Sequence, residues 1–267
     1  MWRRASALRS RRPEGLRHCS LSKTAIATRA ALDAVLSVVL APACAVCDRP
    51  LEQPTRGPVC QPCWRSILPL TPPLCDRCGD PLPTWRAISL PLGRCPRCRR
   101  TPRLLDRARA IGAYDGALRS IVHALKYEGR RTLARPLGAL MRRHGGDLLD
   151  GAACVIPVPL HPSRRRQRGF NQAADLARHL GLPVVAGLRR VRPTPTQTGL
   201  PAAQRHKNVR DAFAATSASR GLRDSIVVLV DDVCTTGATL EACARVLKQA
   251  GVREVRALTA ARVVALG

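Results

Sequence analysis

Aromatic residues are nearly missing from this chain: three Trp, two Tyr and two Phe among 267 residues. Its core must therefore be built from Ala, Val and Leu, which a hydrophobic content of 45% allows. Lysine is almost as scarce. Only four of the 45 basic residues are Lys, so a net charge of +27 rests on guanidinium groups. A field of that sign attracts polyanions, nucleic acid and phosphorylated metabolites alike, and does not choose between them. Long apolar runs are absent too. The longest, residues 34–47, is broken by Ser37 and Pro42 and is too short to span a bilayer. No glycine loop ends in Gly-Lys-Ser/Thr, which excludes a Walker A site, and no dinucleotide fingerprint is present.

Residues 1–28 are rich in Arg and poor in acid, and an apolar stretch follows. Secretory signals and organellar transit peptides share that pattern. Asp33 at the head of the apolar stretch, and the paired thiols beyond it, favour a disordered basic extension on a cytoplasmic protein. A short helix near Thr28–Leu40 is expected after it.

Twelve Cys are present, and eight of them form four Cys-x-x-Cys pairs: Cys44 with Cys47, Cys60 with Cys63, Cys75 with Cys78, and Cys95 with Cys98. A two-residue spacer suits two ligands on one tetrahedral ion, so the pattern predicts two structural Zn²⁺ sites rather than disulfides or redox pairs. Sequential pairing gives two zinc ribbons; a cross-braced pairing joins the first pair to the third. Both remain open. Thirteen of the 22 prolines also lie within residues 41–103, a metal-stapled module with little core of its own. Trp64 and Trp85 are expected to pack beside the metals, with base stacking as the alternative.

The most informative stretch is 226–240, Ile-Val-Val-Leu-Val-Asp-Asp-Val-Cys-Thr-Thr-Gly-Ala-Thr-Leu. Five apolar residues, four of them β-branched, predict a strand buried on both faces. Asp231 and Asp232 stand at its carboxyl end. A loop of small hydroxyl residues follows, and a helical pattern begins near Thr239. Backbone N–H groups of Thr235, Thr236, Gly237, Ala238 and Thr239, with the helix N-terminus behind them, suit a dianionic phosphate. The carboxylates suit the vicinal hydroxyls of a ribose. Cys234 inside this block is either a small filler or a thiol activated by the helix terminus.

Upstream, alternating patterns predict a strand at 108–114, helices near 118–125, 132–144 and 173–180, and a strand at 153–157. Together they give an α/β domain with a mostly parallel sheet. Four Arg between Arg164 and Arg168 follow a strand. They read either as a pyrophosphate clamp, with Arg168 beside Gly169 the preferred contact, or as a solvated or nucleic-acid-contacting loop. Residues 189–213 are polar and Pro-containing, and read as a lid carrying Gln197, Arg205 and Asn208, or as a hairpin and short helix. His123, His161 and His206 are general-base candidates by type, none of them by position.

The 226–240 block resembles the phosphoribosyl pyrophosphate (PRPP) signature of type I phosphoribosyltransferases. Add the paired Cys, Tyr114-x-Gly116 with Lys126-Tyr127-x-Gly129, Val158-Pro159, Arg168-Gly169-Phe170-Asn171-Gln172, and Gln197-Thr198 with Arg205 and Asn208. The chain then resembles, from about Leu36 onward, the competence protein F (ComF) family. The resemblance implies a zinc-ribbon-like module over 29–103 and a type I phosphoribosyltransferase fold, a mostly parallel sheet flanked by helices, over 104–267. It implies PRPP with Mg²⁺, Asp231 and Asp232 on the ribose hydroxyls, residues 235–239 around the 5′-phosphate, and a lid over the transition state to which Arg205 belongs. Displacement of pyrophosphate by an unidentified acceptor would be the reaction. A PRPP sensor without turnover is the alternative. The family is further associated with incoming single-stranded DNA, which adds such strands and DNA-uptake proteins as expected partners.

Overall fold

A computed structural model of the protein describes residues 23–82, 93–192 and 211–264. The expected ligands Gln197, Arg205 and Asn208, together with His206 and Trp85, lie outside these residues.

Helix α1 spans Lys23–Leu40 and so starts ahead of the expected Thr28. Its 18 residues contain no Gly or Pro, and it stops where Pro42 approaches. Buried Asp33 accepts from the Thr55 amide at 2.8 Å, and the Ser37 hydroxyl donates to the Leu51 carbonyl at 3.0 Å. These contacts dock α1 on the Cys module, whose short helices are α2 (Gln61–Arg65) and α3 (Pro96–Arg100). No described helix is long and apolar enough to cross a membrane.

The remaining elements are β1 (Arg107–Ala113), α4 (Gly116–Tyr127), α5 (Ala134–His144), α6 (Gly146–Leu149), β2 (Cys154–Pro157), α7 (Pro162–Arg168), α8 (Gln172–Ala177), β3 (Leu188–Arg190), β4 (Phe213–Ala215), β5 (Ile226–Cys234), α9 (Ala238–Gln249) and β6 (Glu254–Arg262). Four parallel strands form one sheet in the order β1-β6-β5-β2. Val227, Val228, Leu229 and Val230 of β5 are wholly buried, as a strand covered on both faces requires. Leu118 and Ile121 of α4, Leu137 and Met141 of α5, and Leu176 of α8 pack together on one side. Leu240, Cys243 and Leu247 of α9 pack with Phe213 of β4 on the other.

The outer edge of β1 is covered by the Cys module. The Leu70 amide donates to the Ile111 carbonyl at 2.8 Å, the Ala108 amide donates to the Arg77 carbonyl at 2.7 Å, and Pro69 bridges Gly112 in antiparallel sense. Gly79 makes this approach possible. Its φ is +72°, and a Cβ there would stand 2.6 Å from the Ala108 carbonyl oxygen. Cys44, Leu51, Val59 and Cys63 join the same core as α4 and α5.

Two sequence expectations need correction. The Arg164–Arg168 run is helix α7 rather than loop, because Pro162 suits its first turn, the His161 side chain accepts from the Ser163 amide, and Gly169 closes it in the left-handed region. Strand β5 runs on through both carboxylates to Cys234, since β6 pairs with it as far as the Cys234–Arg262 register. Of the two readings of residues 189–213, the described ends agree with the hairpin, since Leu188–Arg190 pairs antiparallel with Phe213–Ala215; residues 193–210 lie outside the described residues.

Candidate active site and zinc centres

The eight paired Cys fall into two clusters, Cys44/Cys47/Cys60/Cys63 and Cys75/Cys78/Cys95/Cys98, with all Sγ atoms of each within 4.8 Å of one another. Pairing is therefore sequential, not cross-braced. Tetrahedral Zn–S bonds of about 2.3 Å put thiolates about 3.8 Å apart. The Cys47–Cys60 and Cys78–Cys95 separations are 3.8 and 3.6 Å, so both clusters fit the ion. The two centres repeat one design. Cys60 and Cys95 each precede a short helix, and their amides point at Cys44 Sγ and Cys75 Sγ, both at 3.3 Å. Trp64 packs against the first cluster's core, as expected.

Parallel sheets gather ligands at the carboxyl ends of their strands. There β5 presents Asp231 and Asp232. Asp232 is buried, and its Oδ1 accepts from Lys126 Nζ at 2.8 Å. Its Oδ2 is buried without a hydrogen-bond partner, an acceptor left for a ligand. Lys126 lies in the last turn of α4. Burial alone would lower its pKa, but the adjacent Asp232 and then Asp231 hold it above the ordinary lysine value. Burial, with the neighbouring Asp232 charge adding to it, pushes the Asp231 carboxyl up to about 8 against the pull of Lys126.

Residues 235–237 then turn the chain. Gly237 adopts φ +78°, the Thr236 hydroxyl accepts from the Ala238 amide at 3.3 Å, and α9 begins at Ala238, one residue before the expected Thr239. The loop thus presents Thr235, Thr236, Gly237, Ala238 and Thr239 around one helix N-terminus, a backbone arrangement suited to an anion. Cys234 is buried, and burial raises its thiol pKa despite nearby Arg262. It is a packed neighbour of Arg262 Nη1, 3.3 Å away, rather than an activated thiol.

On α7, Arg164 and Arg168 are one helical turn apart and share a face. Arg168 donates to Gln172 Oε1 at 2.8 Å and lies over the Tyr127 ring at 5.2 Å, next along the chain from Lys126. The Gly169–Gln172 motif serves mainly to fix this corner. Asn171 caps α8 and donates to the Val158 carbonyl at 3.1 Å, and Phe170 sits under Arg131. Two functional candidates escaped the sequence reading. Lys126 stood in a recognised motif but had no role there. Arg190 on β3 had no signal at all. Its guanidinium lies 5.3 Å from the centre of the Phe213 ring. Burial lowers its pKa and Arg164 lowers it further, while Cys243 and then Asp231 oppose. His123 and His161 face Glu128 and Ser163.

Two family models match the chain, a double zinc ribbon domain over residues 35–99 and a phosphoribosyl transferase domain over residues 166–265. With the sheet order and the β5–α9 loop, they define a protein of the type I phosphoribosyltransferase fold joined to a double zinc ribbon. Its relatives narrow the class. Competence protein F of Haemophilus influenzae is 32% identical over 214 residues, 76% of this chain and 90% of that protein. DNA utilization protein YhgH of Salmonella typhimurium is 33% identical over 225 residues, 80% and 93% respectively. Competence protein ComFC of Bacillus subtilis is 25% identical over 197 residues, 72% and 79%. The chain belongs to the competence protein F family.

Proposed function

We propose that the protein binds PRPP at the carboxyl end of β5 and transfers its phosphoribosyl group to an acceptor, in a role linked to DNA uptake or use. The observation that carries this reading is the buried Asp232, held by Lys126 with one oxygen unpartnered, directly ahead of a glycine-turned loop at a helix N-terminus. Asp231 and Asp232 accept from the ribose hydroxyls. Thr235, Thr236, Gly237, Ala238 and Thr239 hold the 5′-phosphate. Arg164 and Arg168, with Arg190 as a further cation, neutralise the pyrophosphate; Arg205, assigned to the same role by the family resemblance, lies outside the described residues. Mg²⁺, bound through the pyrophosphate oxygens, would neutralise the leaving group. The chain's own contribution is to stabilise charge as the anomeric C–O bond breaks. The link to DNA comes from the names of the relatives.

Calorimetry with PRPP and Mg²⁺ tests this. Wild type binds, and Asp231→Ala/Asp232→Ala, still folded, does not; a folded wild type without binding refutes the reading. Pyrophosphate release in a screen of bases and amines separates an enzyme from a sensor.

A second reading has its own observation. A groove of about 1350 Å³ between the first ribbon and α5 is lined by Trp64 with Arg49, Arg56, Arg65, Arg143 and His144. A stacking surface amid guanidiniums suits single-stranded nucleic acid. Binding there weakens steeply with salt and is lost in Trp64→Ala but not in Asp231→Ala. Salt-insensitive binding, or none, refutes it.

A further inference from the structure

The second ribbon holds the back of the phosphate loop through side chains that the proposed PRPP contacts do not use. Arg97, between ligands Cys95 and Cys98, donates to the Thr236 carbonyl at 3.0 Å. Buried Arg262, at the end of β6, pairs with Asp80, two residues past ligand Cys78, and donates to Cys234 Sγ at 3.3 Å. Arg103 follows the last Cys pair and bonds Glu241 in the first turn of α9 at 3.2 Å, while the Leu104 amide donates to the other Glu241 oxygen at 2.9 Å. Arg77, between Cys75 and Cys78, fixes that same linker by donating to the Arg103 and Leu105 carbonyls. Thr236 and Glu241 thus bracket the loop and are held by Arg97 and Arg103, on either side of ligand Cys98, while Arg262 reaches Cys234 through the register of β6 on β5 and has its guanidinium fixed by Asp80. The first ribbon packs elsewhere, on α1 and α5.

We propose that the second zinc centre is a positioning device for the phosphate loop, so that zinc at Cys75, Cys78, Cys95 and Cys98 and PRPP at residues 235–239 reinforce one another. The part concerning PRPP rests on the site reading above; the ordering of the loop does not. Zinc fixes the knuckles that carry Arg77, Arg97 and Asp80. Those residues set the direction of the Thr236 carbonyl and of the α9 first turn, and hence of the amides that face an anion. Coupling between sites is reciprocal. PRPP should therefore slow zinc loss from the second centre and leave the first unaffected. Arg97, Asp80 and Arg262 are positioning residues, since none need touch the ligand.

The test uses the full chain with two zinc ions, as wild type, Arg97→Ala and Asp80→Asn. Arg97 is exposed, so its replacement spares the fold. Arg119→Gln, on the exposed face of α4, is the control. Amide hydrogen exchange reads the loop without any ligand: faster exchange at 235–241 is expected in both variants, with zinc content still two and the core of β5 unchanged. Calorimetry should show PRPP affinity reduced about 5- to 50-fold, within the usual range for coupled sites. A chelator time course on wild type should show PRPP protecting one of two zinc equivalents, and Arg97→Ala should lose that protection. Exchange at 235–241 equal to wild type in both variants overturns the proposal, whether or not PRPP binds. Unchanged PRPP affinity, or equal protection of both zinc ions, overturns the coupling. A wild type that binds no PRPP while the loop loosens as expected refutes the site reading alone.

Discussion

Replacing Lys126 by Met isolates the electrostatic lock beneath the site. The Lys126 side chain is 16% exposed and that of Asp232 only 4%, with 2.8 Å between Nζ and Oδ1. Methionine keeps the length of the side chain and removes the charge. Asp232 is then left buried with neither oxygen matched to a cation, because Oδ2 already lacks a partner. Removing one member of a buried pair costs about 3–5 kcal/mol, mostly the penalty of the stranded charge. At roughly 2–4 °C per kcal/mol for a unit of this size, the melting temperature should fall by about 6–20 °C. The assay is thermal unfolding by circular dichroism at fixed zinc and protein concentration. The companion is Lys126→Met/Asp232→Asn, in which no charge is stranded. It should recover more than half of the loss, giving a coupling energy well above that of an exposed pair. A fall of under 3 °C in the single variant, or a double variant no better than the single, would show that the pair does not lock the site.

Further outcomes follow from other parts of the molecule. Asp231, raised to about 8, keeps in the folded state a proton that the unfolded chain releases above about pH 4. Its contribution is fully present below the unfolded pKa and falls as pH rises toward 8, so Asp231→Asn should flatten the loss of stability between pH 5 and pH 8, read as urea midpoints; an unaltered slope refutes the assignment. Gly79→Ala should cost about 1–2 kcal/mol from the left-handed backbone alone and more from the Ala108 carbonyl, measured by chemical denaturation. Metal analysis should return two zinc ions per chain, and their removal should abolish protection of the Leu70 and Ala108 amides in hydrogen exchange.

The cysteine spacing and the 226–240 block were legible because each is local. Two ligands need two residues between them, and a strand, turn and helix follow one another without interruption. The α/β alternation was legible for the same reason in β1, α4 and β2. Strand β6 was not, although it is central in the sheet. Alanines at 257, 260 and 261 and arginines at 256 and 262 dilute the β-branched signal that marks a buried strand. Nor did the sequence disclose Arg190 or Arg262. An arginine in a chain with 45 basic residues carries no mark of its own, and only the register of β6 on β5 brings Arg262 to Cys234. Helix α7 was hidden because four arginines in five residues suggest a solvated loop, while its true punctuation, Pro162 and Gly169, sits outside the run.

The seam between the second ribbon and β1 also bears on the order in which the chain is made. β1 has two neighbours, and they arrive at opposite ends of synthesis. Residues 69–79, which cover its outer edge, leave the ribosome just before it. β6, which covers its inner edge, is the last strand among the described residues. For some 140 residues of synthesis, at about 5–20 residues per second, β1 has only the ribbon as a backbone partner. Zinc supplied early therefore closes one row of unpaired amides and carbonyls while the other still waits. A cell short of zinc would release nascent chains with both rows open, and open strand edges are where chains aggregate.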